Sequence, residues 1–249
     1  ISIFLLVQIL WEPNINDMKR FAELYTRLDQ TTKINTKVEE LALYFDDVND
    51  QDRLWTVAIL SHRRPKRTVN TTLLRHWAAE MAGIPLWLFE ESYHVVGDLS
   101  EAIALTLPKP EGKNEQGLSY WIEYVKSLDK KEEEFKKEKV TAAWRKMNYT
   151  ERLVFNKLIM GGFRIGVSQK LMVRALAKYT EIDENTLAHR LMGDWTPDDT
   201  TFEDLILTKD PLEDISKPYP FYLAYALEDE PAELGPTDDW IAERKWDGI

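Results

Sequence analysis

From Met18 to Met160, apolar residues return every three or four positions, the spacing a helix needs to bury one face. In MKRFAELYTRLDQ, Phe21, Leu24, Tyr25 and Leu28 stand at offsets 0, 3, 4 and 7. INTKVEELALYFDDV aligns Val38, Leu41, Ala42 and Phe45 in the same way, with Asn35 or Thr36 as its N-cap. DRLWTVAILSH follows an acidic turn near Asp50. LSYWIEYVKSLDKKEEEFKKEKVTAAWRKM reads as one long charged helix with an exposed surface. TERLVFNKLIMGG reads as an amphipathic helix stopped by Gly161 and Gly162. No convincing series of alternating strands precedes residue 215, so the fold class is mainly all-α. The 9 tryptophans are enough large apolar surface to fill a core.

There are no cysteines, which excludes disulfides, thiolate catalysis and cysteine zinc sites and fits a reducing, cytoplasmic setting. Only 4 histidines remain for a zinc site, so no metal site is expected in this chain. ISIFLLVQIL is too short to span a bilayer and lacks basic residues ahead of it, so neither an anchor nor a signal peptide is expected. The regular helical pattern opens at Met18, and residues 1–17 read as an upstream extension.

The formal net charge of −11 argues at first against a nucleic-acid partner. The placement of that charge removes the objection. From Asp198 to Ile249 there are 15 acids and 4 bases, which leaves 28 of each in residues 1–197. The body is neutral, and phosphate contacts depend on local clusters of Lys and Arg.

Residues 66–98 and 164–194 echo one another at a shift of 98: Val69 meets Val167, Leu73 meets Leu171 and Ala79 meets Ala177. In each, a basic loop opens a helix, a second helix follows, and Gly-Asp ends it, at Gly97-Asp98 and at Gly193-Asp194. This is an internal pseudo-two-fold repeat, and two related sites suit a duplex with two backbones. The second loop, GGFRIGVSQK, offers Gly161, Gly162, Gly166, Arg164, Ser168 and Lys170. Glycine lets a ligand approach the backbone, and Ser168 can cap a helix whose N-terminus favours phosphate. The first loop, HRRPKRTVNTT, offers Arg63, Arg64, Lys66, Arg67 and Thr71. The rival view is that both loops merely connect helices and their cations sit in water.

After Asp194 the chain turns acidic and rich in proline, as a linker would. A helical domain over residues 18–210 is expected, then a linker and the start of a second domain over 211–249. In WIAERKWDGI, Glu243, Lys245 and Asp247 share one face of a strand, an arrangement that suits a pocket better than a core.

Lys245-Trp246-Asp247-Gly248 resembles the K-x-D-G adenylation motif shared by ATP-dependent DNA ligases, RNA ligases and mRNA capping enzymes. SYHVVGDLSEA, MNYTERLVFNKLIMGGFRIGVSQKLMVRALA, RLMGDWTP and KPYPFYLA together resemble the ATP-dependent DNA ligases, particularly bacterial ones with a helical DNA-binding domain. The resemblance implies that the amine of Lys245 attacks the α-phosphorus of ATP and carries AMP, which passes to a 5′-phosphate at a nick. It implies nucleotide contacts by Glu243, Arg244 and Lys245, with Glu243 accepting from the adenine amino group. It implies ATP and Mg²⁺ as cofactors of the full-length enzyme, nicked double-stranded DNA as partner, a monomer, and the first strands of an α/β adenylation domain. On this reading the chain is a fragment cut inside its catalytic motif, able to bind DNA and unable to ligate. A free lysine amine has a pKa near ~10.4 and must lose its proton to attack, a role arginine could not take. Two alternatives stay open: an RNA ligase, and a helical interaction module whose K-x-D-G is accidental.

Overall fold

The computed structural model describes residues 18–163, 165–208 and Pro236. The chain divides into a unit ending at Lys209 and a second, Asp210–Ile249. The expectations for the strand at 240–247, for Glu243, Arg244 and Lys245, and for residues 1–17 lie outside the described residues, as does Arg164.

The described residues form helices joined by turns and by longer loops at 61–70, 107–117 and 161–168, with no strand among them. They are α1 (Met18–Asp29), α2 (Ile34–Asp47), α3 (Asp50–Leu60), α4 (Thr71–Ala82), α5 (Leu86–Val96), α6 (Leu99–Thr106), α7 (Leu118–Lys126), α8 (Glu133–Lys146), α9 (Tyr149–Met160), α10 (Gln169–Thr180) and α11 (Glu184–Met192). A π-helical turn, Glu203–Leu207, follows. No helix among them is long and apolar enough to cross a membrane.

The apolar stripe of α1 is buried as its spacing requires, with Phe21, Leu24, Tyr25 and Leu28 all in the core. In α2 the stripe holds at Val38, Leu41 and Phe45, all buried, while Ala42 is only partly buried and Tyr44 joins the core. Neither Asn35 nor Thr36 caps that helix. The N-cap position is Lys33, at least two residues earlier, and the Asn35 side chain accepts from Arg174 on α10 instead.

The long helix expected over 118–147 is two helices. Lys130 turns left-handed (φ 53°) between them, and Leu128 drops into the core. The charged run hides this break, because charge on a solvated face says nothing about where the backbone turns. The start of α7 is fixed from afar, since the Asp52 carboxylate on α3 accepts from the backbone N–H of Leu118 and Ser119 at 3.2 and 2.8 Å. That arrangement satisfies helix-end donors that have no partner of their own.

α9 runs through the core and carries polar groups with it. Asn156 accepts from the Trp144 indole at 2.8 Å and donates to the Ser100 carbonyl at 3.1 Å. A capping box of Asn148 and Glu151 opens the helix, and Gly161 in the left-handed region closes it. α9 packs on α1 and α6, and α10 lies along α2.

The two echoing segments have matching element offsets. α4 and α10 begin 98 residues apart, and so do α5 and α11. Their ends differ: Gly97 is left-handed (φ 81°), whereas Gly193 is not (φ −59°).

Candidate nucleic-acid interface

The sequence places two basic loops 98 residues apart; the fold brings them into contact. After α3, His62 turns left-handed (φ 68°), and the run Arg63–Arg67 is laid against the end of α9. The Arg64 guanidinium donates to the Gly161 carbonyl, and Arg67 donates to the Met160 carbonyl at 3.3 Å. These are the carbonyls a helix leaves without partners at its C-terminus, where positive charge is favoured.

Glycine is required at 161 for two reasons. Its φ is 79°, and a Cβ there would sit 3.2 Å from the Arg64 guanidinium. Gly166 repeats the case, with φ 64° and a would-be Cβ 3.1 Å from the Lys37 ammonium. Between them the loop is anchored by Phe163, Ile165 and Val167, all buried. Phe163 packs against Phe21 and Tyr25, with ring centroids 5.9 and 6.0 Å apart. Lys37, only 7% exposed, donates to the Ile165 carbonyl and holds the loop from α2. No sequence signal marks Lys37, since a helical lysine 128 residues from its partner looks like any surface cation.

Ser168 caps α10, its hydroxyl accepting from the Leu171 backbone N–H at 3.2 Å. That leaves a neutral cap at a positive helix end, with Lys170 exposed in the first turn. Lys66 and Lys170 make no hydrogen bond or ion pair with the described residues, so both ammonium groups face solvent.

Arg63 differs from its neighbours. It donates to the carbonyls of Trp195 (2.8 Å), Gly193 (2.7 Å) and Leu191 (3.4 Å), and its guanidinium lies 4.6 Å from the Trp195 ring. It anchors the first loop to the end of α11 and has little left to offer a ligand. A groove of about 610 Å³ lies beside it, lined by Trp55, His62, Arg64, Lys66, Lys126 and Trp195 among others.

Thr71 is half-buried at the first position of α4, behind the Asn70 cap that accepts from Thr72. Gly97 is open, with nothing within 4 Å of a would-be Cβ. Beside it, however, Asp98 occupies the N-terminus of α6, accepting from Glu101 N–H at 3.0 Å and from the Lys157 ammonium at 2.8 Å. Burial pulls this carboxyl up, but the hydrogen bonds from Lys157, Glu101 and Ser100 and the nearby ammonium outweigh it and hold it below the ordinary carboxylate range. A carboxylate already fills that helix end, so Gly97 does not sit at a phosphate-binding helix terminus of the kind Ser168 caps.

The family model described as DNA ligase N terminus matches residues 17–177, a span that takes in both basic loops and most of α10. No curated protein matches the chain.

Proposed function

The chain belongs to the DNA ligase N-terminal family, the ATP-dependent kind, and from that premise we propose that its helical unit grips nicked duplex DNA by the phosphate backbone. The observation that carries this is the joining of the two basic loops through Arg64 and Arg67. Together they present Lys66, Lys170, the Ser168-capped end of α10 and the glycine amides of 161–166 as one surface. No recognition helix is involved, so contacts run along phosphates and sugars with little sequence preference. The paired loops and the matching offsets of α4–α5 and α10–α11 support a pseudo-two-fold arrangement across the duplex.

In the same proposal Lys245 is the adenylated residue. Its neutral amine forms a bond to the α-phosphorus of ATP, the bond to the pyrophosphate oxygen breaks, and the amine proton leaves to solvent. Glu243 and Arg244 contribute to nucleotide binding and Mg²⁺ assists the full-length enzyme. The support here is the K-x-D-G sequence within a DNA ligase chain.

The test is a titration of the chain against nicked DNA, intact DNA and nicked RNA duplexes between about 50 and 200 mM salt. DNA affinity that falls steeply with salt is expected, because each phosphate neutralised adds about −0.9 to the log–log slope. Affinity that ignores salt would favour an interaction module, and a preference for RNA would favour an RNA ligase.

A further inference from the structure

The groove of about 610 Å³ beside the first basic loop holds a side chain that gripping a phosphate backbone does not require. Thr68 lines it, is 9% exposed, and carries a buried hydroxyl oxygen with no hydrogen-bond partner. A valine would fill the same space without leaving a polar group unpaired, so the hydroxyl marks capacity for a ligand. Trp55 and Trp195, both buried, give the groove an apolar wall. A cation covers each ring, the Lys126 ammonium 5.4 Å from Trp55 and the Arg63 guanidinium 4.6 Å from Trp195, which holds both indoles in place.

The charges that line the groove divide by element. The first loop brings His62, Arg64 and Lys66, whereas the turn after α7 and the segment after α11 bring Asp129, Asp194 and Asp198. Several charges are already committed: Arg63 to backbone carbonyls, and Lys126 to Glu123 and Asp198 at 2.8 and 2.6 Å. Lys66, Asp129 and Asp194 are exposed and make no ion pair with the described residues. The groove therefore offers a cation, an apolar wall, an unpaired hydroxyl and carboxylate acceptors together.

We propose that this groove binds one unpaired guanine nucleotide, either free or as part of a strand. Its phosphate meets the Lys66 ammonium and accepts from the Thr68 hydroxyl, and its base lies against the indole wall. Guanine carries its N1–H and its amino group side by side, a pair of donors that the two oxygens of one carboxylate, Asp194, accept together. Adenine, cytosine and thymine lack that pair. A phosphate alone would leave most of the groove empty, since pockets of ~300–1,000 Å³ suit a whole small molecule. A base already paired within a duplex has no donors left for the carboxylate. The inference goes beyond the DNA-gripping proposal and touches it only at Arg64 and Lys66.

The experiment is calorimetric titration of the 249-residue chain, at about 50 mM salt, with dGMP, with dTMP, and with two nicked duplexes that differ by one unpaired guanine nucleotide at the nick. One saturable dGMP site per chain is expected, at least ~10-fold tighter than dTMP because the hydrogen bonds to the carboxylate are charge-assisted. Thr68→Val keeps the shape of the side chain and should weaken dGMP ~5-fold without lowering the melting temperature, and Thr68→Ser should restore binding. Asp194→Asn, at an exposed position, should remove the preference for dGMP over dTMP. Tighter binding of the duplex with the unpaired nucleotide, lost in Thr68→Val, would assign the nucleotide to a strand. Equal binding of the two duplexes beside a Thr68-dependent dGMP site would assign it to the free nucleotide. The proposal is overturned if neither dGMP nor the unpaired nucleotide gives Thr68-dependent binding, if dGMP and dTMP bind alike, or if Asp194→Asn leaves the preference intact. Failure of both duplexes to bind beside an intact dGMP site overturns instead the reading of the basic loops.

Discussion

The helix pairs α4–α5 and α10–α11 share their spacing and differ in their surroundings. α10 buries Leu171, Met172, Val173, Ala175 and Leu176 along α2. α5 is richer in apolar residues than α11, yet of its side chains only Phe89 is buried, while Trp87 is 66% and Val95 87% exposed. Equal offsets along the chain therefore start helices at matching positions without giving them equal roles. What differs is the long-range partner: α10 and its leading loop are held by α2 through Lys37, Asn35 and Glu39. The first helices of the pairs share a neutral cap, Asn70 at α4 and Ser168 at α10, whereas the second helices differ, with the Asp183 carboxylate capping α11 and no side chain capping α5.

The sharpest way to break this comparison is to cut into each pair. Leu176→Ala should cost ~2–5 kcal/mol, the usual range for emptying a fully buried leucine site. Trp87→Ala should change stability by no more than ~0.5 kcal/mol, as surface substitutions do. Denaturant melts of both variants check this; equal losses would mean that α5 is covered after all.

Next in size is the joint between the loops. Gly161→Ala asks a side chain to adopt a left-handed conformation, at about 1–2 kcal/mol, and pushes it against the Arg64 guanidinium. A drop in melting temperature together with roughly tenfold weaker binding of nicked DNA is expected. Gly97→Ala has the same backbone cost with open space around it, and should lower stability with a smaller effect on DNA affinity.

The smallest effect concerns acid. The Asp98 carboxyl titrates below its ordinary value, so its contribution is present above about pH 4 and is lost as pH falls through its depressed pKa. The group is half-exposed, which keeps that contribution modest. Asp98→Asn should make stability less dependent on pH between about 4 and 2, as thermal melts across that range would show.

The helices of 18–60 are legible in the sequence, because residues such as Phe21, Leu41 and Phe45 owe their burial to spacing alone. So are the cap at Ser168 and the glycines of the second loop. The turn at Lys130 and the cap supplied by Asp52 to α7 are not, since both depend on which helices meet in space. For the same reason Arg63 reads in sequence as a ligand-binding cation: its partners, the carbonyls of Leu191, Gly193 and Trp195, lie 128, 130 and 132 residues away. Asp98 and Lys157 are invisible as a pair, because neither residue type is unusual where it stands.

The central claim is that the two basic loops act as one phosphate-binding surface. Its most direct test is the salt dependence of nicked-duplex binding by wild type and by Lys66→Ala/Lys170→Ala, with circular dichroism to verify folding. Removing two phosphate-neutralising ammonium groups should flatten the log–log slope by about 1.8 and weaken binding alike for every DNA sequence tried. An unchanged slope in a folded double variant would contradict the account.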